Sequence, residues 1–290
     1  EKIVFLTQNS IIEHLENNLY KGIFFPCYPL AKLFIPIITK MYIVHTEYKP
    51  IEDVYKAFLF YSNLGKKYQY PFIYLAIART FNPASGANSP VDGYVGRGSV
   101  SEVFATIRSG AGNDPNVTTT NSGVPLLGSS PTTDQYDQLY RAFYLFGTSP
   151  IPDSATILIA TFGVFGTAKA NALGSADYHV ASSTPASNDT LVNGDYGQVG
   201  TTSFGNVTFA NFSTTGYNDI TLNSSGIDNI SKTGISKFSS QLSWDINNSF
   251  GGTWAANSDS SFTSNLADNG TDIPRLIVTF RKPQVTNDSF

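Results

Sequence analysis

The chain has a single cysteine, Cys27, and a single methionine among its 290 residues. One thiol excludes an intrachain disulfide and any cysteine-built metal cluster. Histidine is almost as scarce. His14, His45 and His179 are the only three, and none stands at a metal-ligand or triad spacing from another. Asp, Glu, Lys and Arg make up 14% of the residues, and the net charge is −4. No arginine precedes Arg79, and Glu102 is the one glutamate after residue 70. A chain with this balance lacks the basic face that a phosphate backbone requires, so nucleic acid is not expected as a partner. Its aspartates sit mostly in turn settings, such as Asp92-Gly93, Asn113-Asp114-Pro115 and Asn188-Asp189. An acid pair for glycoside hydrolysis among them is the minor alternative. Gly93-Tyr94-Val95-Gly96-Arg97-Gly98 does not open a helix, so it reads as turns and not as a phosphate loop. No catalytic residue is assigned, and the chain reads as a protein that is not an enzyme.

The composition of what is there breaks near residue 70. Residues 1–70 hold eight lysines, six acids and only two of the 24 glycines, Gly22 and Gly65. Ser10-Ile11-Ile12-Glu13 matches a capping box, and Ile11, Ile12, Leu15 and Leu19 follow at helical spacing. A second helix is expected from Pro50, with Glu52 and Asp53 in its first turn. Between them, Gly22 to Val44 is long and apolar enough for membrane contact, but Pro26, Pro29, Pro36, Lys32 and Lys40 interrupt it. A buried or partner-packed segment is the better reading. Residues 1–70 are therefore expected to form a helical attachment or assembly segment, and residues 283–290 a C-terminal tail.

After residue 78 the chain turns rich in Gly, Ser, Thr, Asn and Asp, with short runs of β-branched and aromatic residues. The strongest stretch is Tyr140 to Thr167, which reads as two strands joined in a hairpin-like unit by a corner holding Pro150 and Pro152. In the second strand, alternation puts Leu158, Ala160, Phe162 and Val164 on one face. Further strands are expected at Phe72–Phe81, Val100–Arg108, Tyr178–Ser182, Gln198–Phe204, Asn206–Phe212, Tyr217–Leu222, Ile235–Ile246, Phe262–Leu266 and Pro274–Phe280. Ser109 to Asp134 reads as a long surface loop, and Gly226 to Lys232 as one helical turn. Many short strands without interleaved long helices predict a mainly β fold over residues 71–282. The expected architecture is an antiparallel β-sandwich or jelly roll, with the smaller α-helical segment before it.

Arg141-Ala142-Phe143-Tyr144-Leu145-Phe146-Gly147-Thr148-Ser149-Pro150-Ile151-Pro152-Asp153-Ser154-Ala155-Thr156-Ile157 resembles the core of DNRLRE-type β-sandwich domains. Tyr217-Asn218-Asp219-Ile220-Thr221-Leu222-Asn223, Gly226, and Asp272-Ile273-Pro274-Arg275-Leu276-Ile277-Val278-Thr279-Phe280 continue the resemblance in the family's order. Gly147 departs from it, standing where the family often has Asp. The resemblance implies a jelly-roll module of secreted, surface or virion proteins, some of which bind polysaccharide. It places the protein outside the cell, at a cell surface or on a virion.

A sugar ring packs its C–H face on the electron-rich face of an aromatic side chain. Trp254, in the loop Phe250-Gly251-Gly252-Thr253-Trp254, is the first candidate for such a contact, with Tyr178 and Tyr196 as partners, whereas Trp244 reads as core. Jelly rolls also carry structural cations on loop carboxylates, so Asp92, Asp219 and Asp272 are the candidate ligands for calcium. Two functions are compatible with this pattern. One is a module that binds a polysaccharide or cell-surface glycan. The other is a structural subunit of a virion or extracellular filament, assembling with copies of itself or with other subunits through residues 1–70.

Overall fold

The computed structural model describes residues 76–281. The expected helices after Ser10 and Pro50, the apolar Gly22–Val44 run and the tail at 283–290 lie outside the described residues. The chain divides into two compact units, Glu1–Ile77 and Ala78–Phe290. Nearly all the described residues belong to the second unit. Among the described residues, no helix is long and apolar enough to cross a membrane.

The fold is mainly antiparallel β. Its strands are β1 (Ala76–Phe81), β2 (Asp92–Arg97), β3 (Asp114–Asn116), β4 (Asn121–Ser122), β5 (Leu126–Ser129), β6 (Tyr136–Gly147) and β7 (Thr156–Asn171). They continue with β8 (Tyr178–Ser182), β9 (Gly205–Val207), β10 (Gly216–Thr221), β11 (Ile235–Leu242), β12 (Asp259–Asn265) and β13 (Arg275–Arg281). Two long strands organise the rest. β7 pairs with β13 and β12 along one edge and with β10 along the other. β6 pairs with β11 and β5 on one side and β2 on the other. β5 bonds to both β12 and β6, so a single open sheet folds over on itself into a sandwich-like pair of layers.

β6 and β7 follow one another in sequence but do not pair, contrary to the hairpin-like unit expected from sequence. They face each other across the core. The Tyr144 ring on β6 meets Phe162 on β7 at 5.1 Å, and Phe162 meets Phe238 on β11 at 6.0 Å. Tyr178 on β8 and Phe262 on β12 close the far part at 5.6 Å. These edge-on and tilted contacts suit the aromatic quadrupole, and each such side chain adds roughly 1.5–3 kcal/mol by leaving water. The corner between the strands crosses from one layer to the other. It holds because Thr148 is buried and shares its hydroxyl with the Ser231 carbonyl and Ser236 Oγ, both at 2.6 Å. Ile151 plugs the core there, and Lys232 Nζ donates to the Ala155 carbonyl at 3.0 Å.

Several expectations need correction. The stretch Val100–Arg108 is not a strand, since Phe104–Ser109 forms a short helix, α1, burying Ile107. Val103, Phe104 and Ile107 stand three and four apart, a helical spacing that alternation missed. Ser109–Asp134 is not one surface loop. It contains β3, β4 and β5, and it buries Val124 and Leu127. Ile235–Ile246 is strand only to Leu242, after which Ser243–Ile246 forms a helical turn, α3, that carries buried Trp244. Between 198 and 212 only Gly205–Val207 is a strand. Asp92-Gly93 opens β2 instead of making a turn. Gly93 has φ +155° and a Cβ there would lie 2.1 Å from the Asn116 carbonyl oxygen. On β7, Ala160, Phe162 and Val164 are buried as expected, but Leu158 is 37% exposed. The helical turn expected after Gly226 lies slightly earlier, as α2 (Ser224–Asp228), capped by Asn223 accepting from Gly226 N–H.

Candidate functional site

A buried ion pair ties several elements of the fold together. Arg141 on β6 is buried and binds Asp245 of α3 through both arms, Nε to Oδ2 at 2.6 Å and Nη2 to Oδ1 at 2.7 Å. It also donates to the Tyr196 carbonyl at 2.8 Å and the Arg108 carbonyl at 3.0 Å, and lies 4.2 Å from the Tyr196 ring centroid. Arg108 reaches Asp245 Oδ1 at 3.1 Å. A buried ion pair persists only with such additional partners. Here they pin α1, α3 and the turn at Asn193–Gly197 to the sheet.

This network takes up Tyr196, whose ring is buried against Arg141 and whose hydroxyl donates to the Ile107 carbonyl at 2.8 Å. Tyr178 is equally buried, its hydroxyl 3.2 Å from that of Tyr144. Neither offers a ring face to solvent, and both belong to the core instead of the rim expected for them. Tyrosine in a β-run is ambiguous in sequence, because a buried hydroxyl needs only one partner.

Trp254 stands differently. Its ring is half-buried in the loop that follows α3, and Nε1 donates to the Gln135 carbonyl at 3.0 Å. The loop approaches the sheet closely at Gly252, where a Cβ would lie 2.0 Å from the Leu173 carbonyl oxygen. Ser129 Oγ, which bonds the Ala255 carbonyl, also accepts from Ser258 N–H at 3.0 Å. Beside it, Tyr136, Phe104 and Phe250 form an aromatic cluster with centroids 5.3–6.1 Å apart, and Phe250 meets Trp244 at 4.8 Å. Phe104 and Phe250 are half-buried, and Val103 is 52% exposed. This end of the molecule thus presents apolar rings in a setting rich in amide and hydroxyl groups.

A second aromatic pair is one that the sequence pattern did not single out. Tyr94 on β2 and Tyr140 on β6 are both half-buried, with centroids 5.5 Å apart and an interplanar angle of 61°. Tyr140 stands opposite Gly96 in the ladder, and its ring lies across that glycine. A Cβ on Gly96 would fall 2.2 Å from Cε1 of Tyr140, and one on Gly98 would fall 2.8 Å from the hydroxyl. The hydroxyl donates to Asp114 Oδ2 at 2.8 Å. The signal was Gly-Arg-Gly after Tyr94-Val95: two glycines at strand spacing leave a bare strip on one face.

The three aspartates considered for calcium do not converge. Asp92 is buried, with Oδ2 accepting from Ala267 N–H at 2.9 Å. Burial pushes its carboxyl up to about 7, against the pull of the Ala267 amide and with added repulsion from Asp268. Asp219 pairs with Arg275 at 2.7 Å, and the Arg275 guanidinium lies over the Tyr217 ring at 3.5 Å. Asp272 is exposed, with φ +50°. Among the described residues, no group of three or more His, Cys, Asp or Glu side chains could hold a metal ion. His179 bonds Ser203 Oγ through Nδ1 at 2.8 Å, and burial lowers its basicity. Compared with models of known protein families and with curated proteins, the chain matches none.

Proposed function

We propose that this chain is a non-catalytic, surface-located β-sandwich module of jelly-roll type that holds a polysaccharide or cell-surface glycan at the Trp254 end. The observation that carries this reading is the fixing of Trp254. Its N–H is spent on the Gln135 carbonyl, which sets the plane of the indole while the ring stays half-exposed. A fixed aromatic plane loses little conformational entropy on binding. The likeness of the 141–157 stretch to DNRLRE-type domains, and an extracellular, cell-surface or virion location, belong to the same proposal.

The test is retention on a panel of immobilised polysaccharides, with the full chain and with Trp254→Ala. Wild type is retained on at least one polymer, and the variant elutes unretarded with a nearly unchanged Tm. Absence of retention on every polymer, or a variant that is retained yet melts far lower, refutes the reading. The second outcome would make Trp254 a packing residue.

A further inference from the structure

The geometry points to a second saccharide contact on this module: Tyr140, flanked by Tyr94, is a stacking platform for an uncharged pyranose unit. The inference rests on the glycan-binding reading and adds to it a second place and a chemical class. Even-numbered residues of β6 share one face. At Tyr144 and Phe146 that face is core, and at Tyr140 it becomes half-exposed. The ring there does not stand up from the sheet. It lies across Gly96 toward Gly98, which have no side chains to hold it away. One ring face is thereby applied to backbone, which leaves the opposite face as the one a ligand would meet. The Tyr94 ring stands at 61° to that of Tyr140, with centroids 5.5 Å apart, and serves as a wall beside the floor. A planar floor with an edge-on wall matches a pyranose, whose C–H face seeks the ring's negative quadrupole.

The polar surroundings set the class of sugar. Asp114 accepts from the Tyr140 hydroxyl and, as a carboxylate, can accept further hydrogen bonds from sugar hydroxyls. Asp114 and Asp137 both add negative charge near Tyr140. Asn116, opposite Tyr94 in the β2–β3 ladder, and Asn113, tied to Gly98 through both amide atoms, bring neutral hydrogen-bonding groups. Carboxylates beside the platform repel uronic acids and accept from neutral hexoses and N-acetylhexosamines.

The experiment titrates the full chain with neutral oligosaccharides of glucose, mannose, galactose and N-acetylglucosamine, and with oligouronates of matching length. Wild type binds a neutral oligomer more tightly than any oligouronate. Tyr140→Ala and Tyr94→Ala each weaken that affinity about ten-fold, the effect of losing about 1.4 kcal/mol of contact. Tyr140→Phe, which keeps the ring, binds within about two- to three-fold of wild type. Asp114→Asn with Asp137→Asn narrows the preference for neutral sugars. Wild-type binding with unchanged affinity in folded Tyr140→Ala, or in Tyr94→Ala if the first variant fails to fold, overturns the platform and leaves the Trp254 site standing. Tighter binding of oligouronates by wild type overturns the assigned class. Binding of none of the oligosaccharides overturns the platform together with the glycan reading.

Discussion

Asp92 links the stability of this module to pH, and its geometry fixes the sign. The side chain is 1% exposed at the start of β2. Burial raises its carboxyl from 3.8 to about 7, the Ala267 amide opposes the rise, and Asp268 adds to it. In the unfolded chain the group ionises near its ordinary value. From about pH 4 to about pH 7, therefore, the native state holds a proton that the unfolded chain has released. The contribution is stabilising and complete below about pH 4, declines through that window, and is gone above it. Each pH unit is worth about 1.4 kcal/mol, so the whole window amounts to about 4 kcal/mol. Asp92→Asn keeps an oxygen for the Ala267 N–H and cannot ionise. Urea unfolding followed by fluorescence of the buried Trp244 measures both proteins across the window. Their stabilities should lie close together at about pH 4, and the variant should lead increasingly toward about pH 7. Two curves that stay parallel over the same range would refute the assignment of a buried, protonated Asp92.

The other expectations concern packing. Asp245→Ala leaves the Arg141 guanidinium buried without its counter-charge and should cost about 3–5 kcal/mol in denaturant unfolding. Pairing it with Arg141→Met should return part of that loss, because the stranded charge is removed as well. Phe162→Ala empties the meeting point of Tyr144, Phe146 and Phe238 and should cost about 3–5 kcal/mol by the same measurement. A loss below about 1 kcal/mol would mean that the two layers are not held together there.

Much of the β architecture was legible because alternation survives wherever a strand is long or covered on one face. β8, β10 and β13 fall within a residue or so of where their side-chain pattern puts them, with Leu276, Val278 and Phe280 all inward. The elements that escaped are short or serve two partners. β3 and β4 run for two or three residues in polar company, and β5 for only four. No periodicity can be read over so few positions. α1 was lost because its six residues bury only Ile107, too little for a helical stripe to stand out. Strand pairing was the deeper failure. Pro150 and Pro152 show where the ladder pauses, but nothing local says whether the chain turns back beside itself or crosses to the opposite layer. That choice is made by Thr148 and Ser236, which are 88 residues apart.

The candidate site was half legible. Trp254 was marked by its glycine-rich loop, and it is half-buried there with its N–H on the Gln135 carbonyl. Tyr178 and Tyr196 were drawn into the interior by partners remote in sequence, Tyr144 and Arg141. Tyr140 went unnoticed because a tyrosine in an aromatic run reads as core. Its exposure follows from two glycines on a neighbouring strand.

The four residues of β5 give this module a mechanical character. An ordinary sandwich of two separate sheets has a greasy slip plane between them, along which the halves can shear. Here a backbone ladder runs through Leu126–Ser129 from one half to the other. Sliding the halves would mean tearing amide-to-carbonyl hydrogen bonds at that seam. The indole of Trp254 and the phenol of Tyr140 are consequently mounted on a stiff plate, and a force that separates the halves should load the seam first.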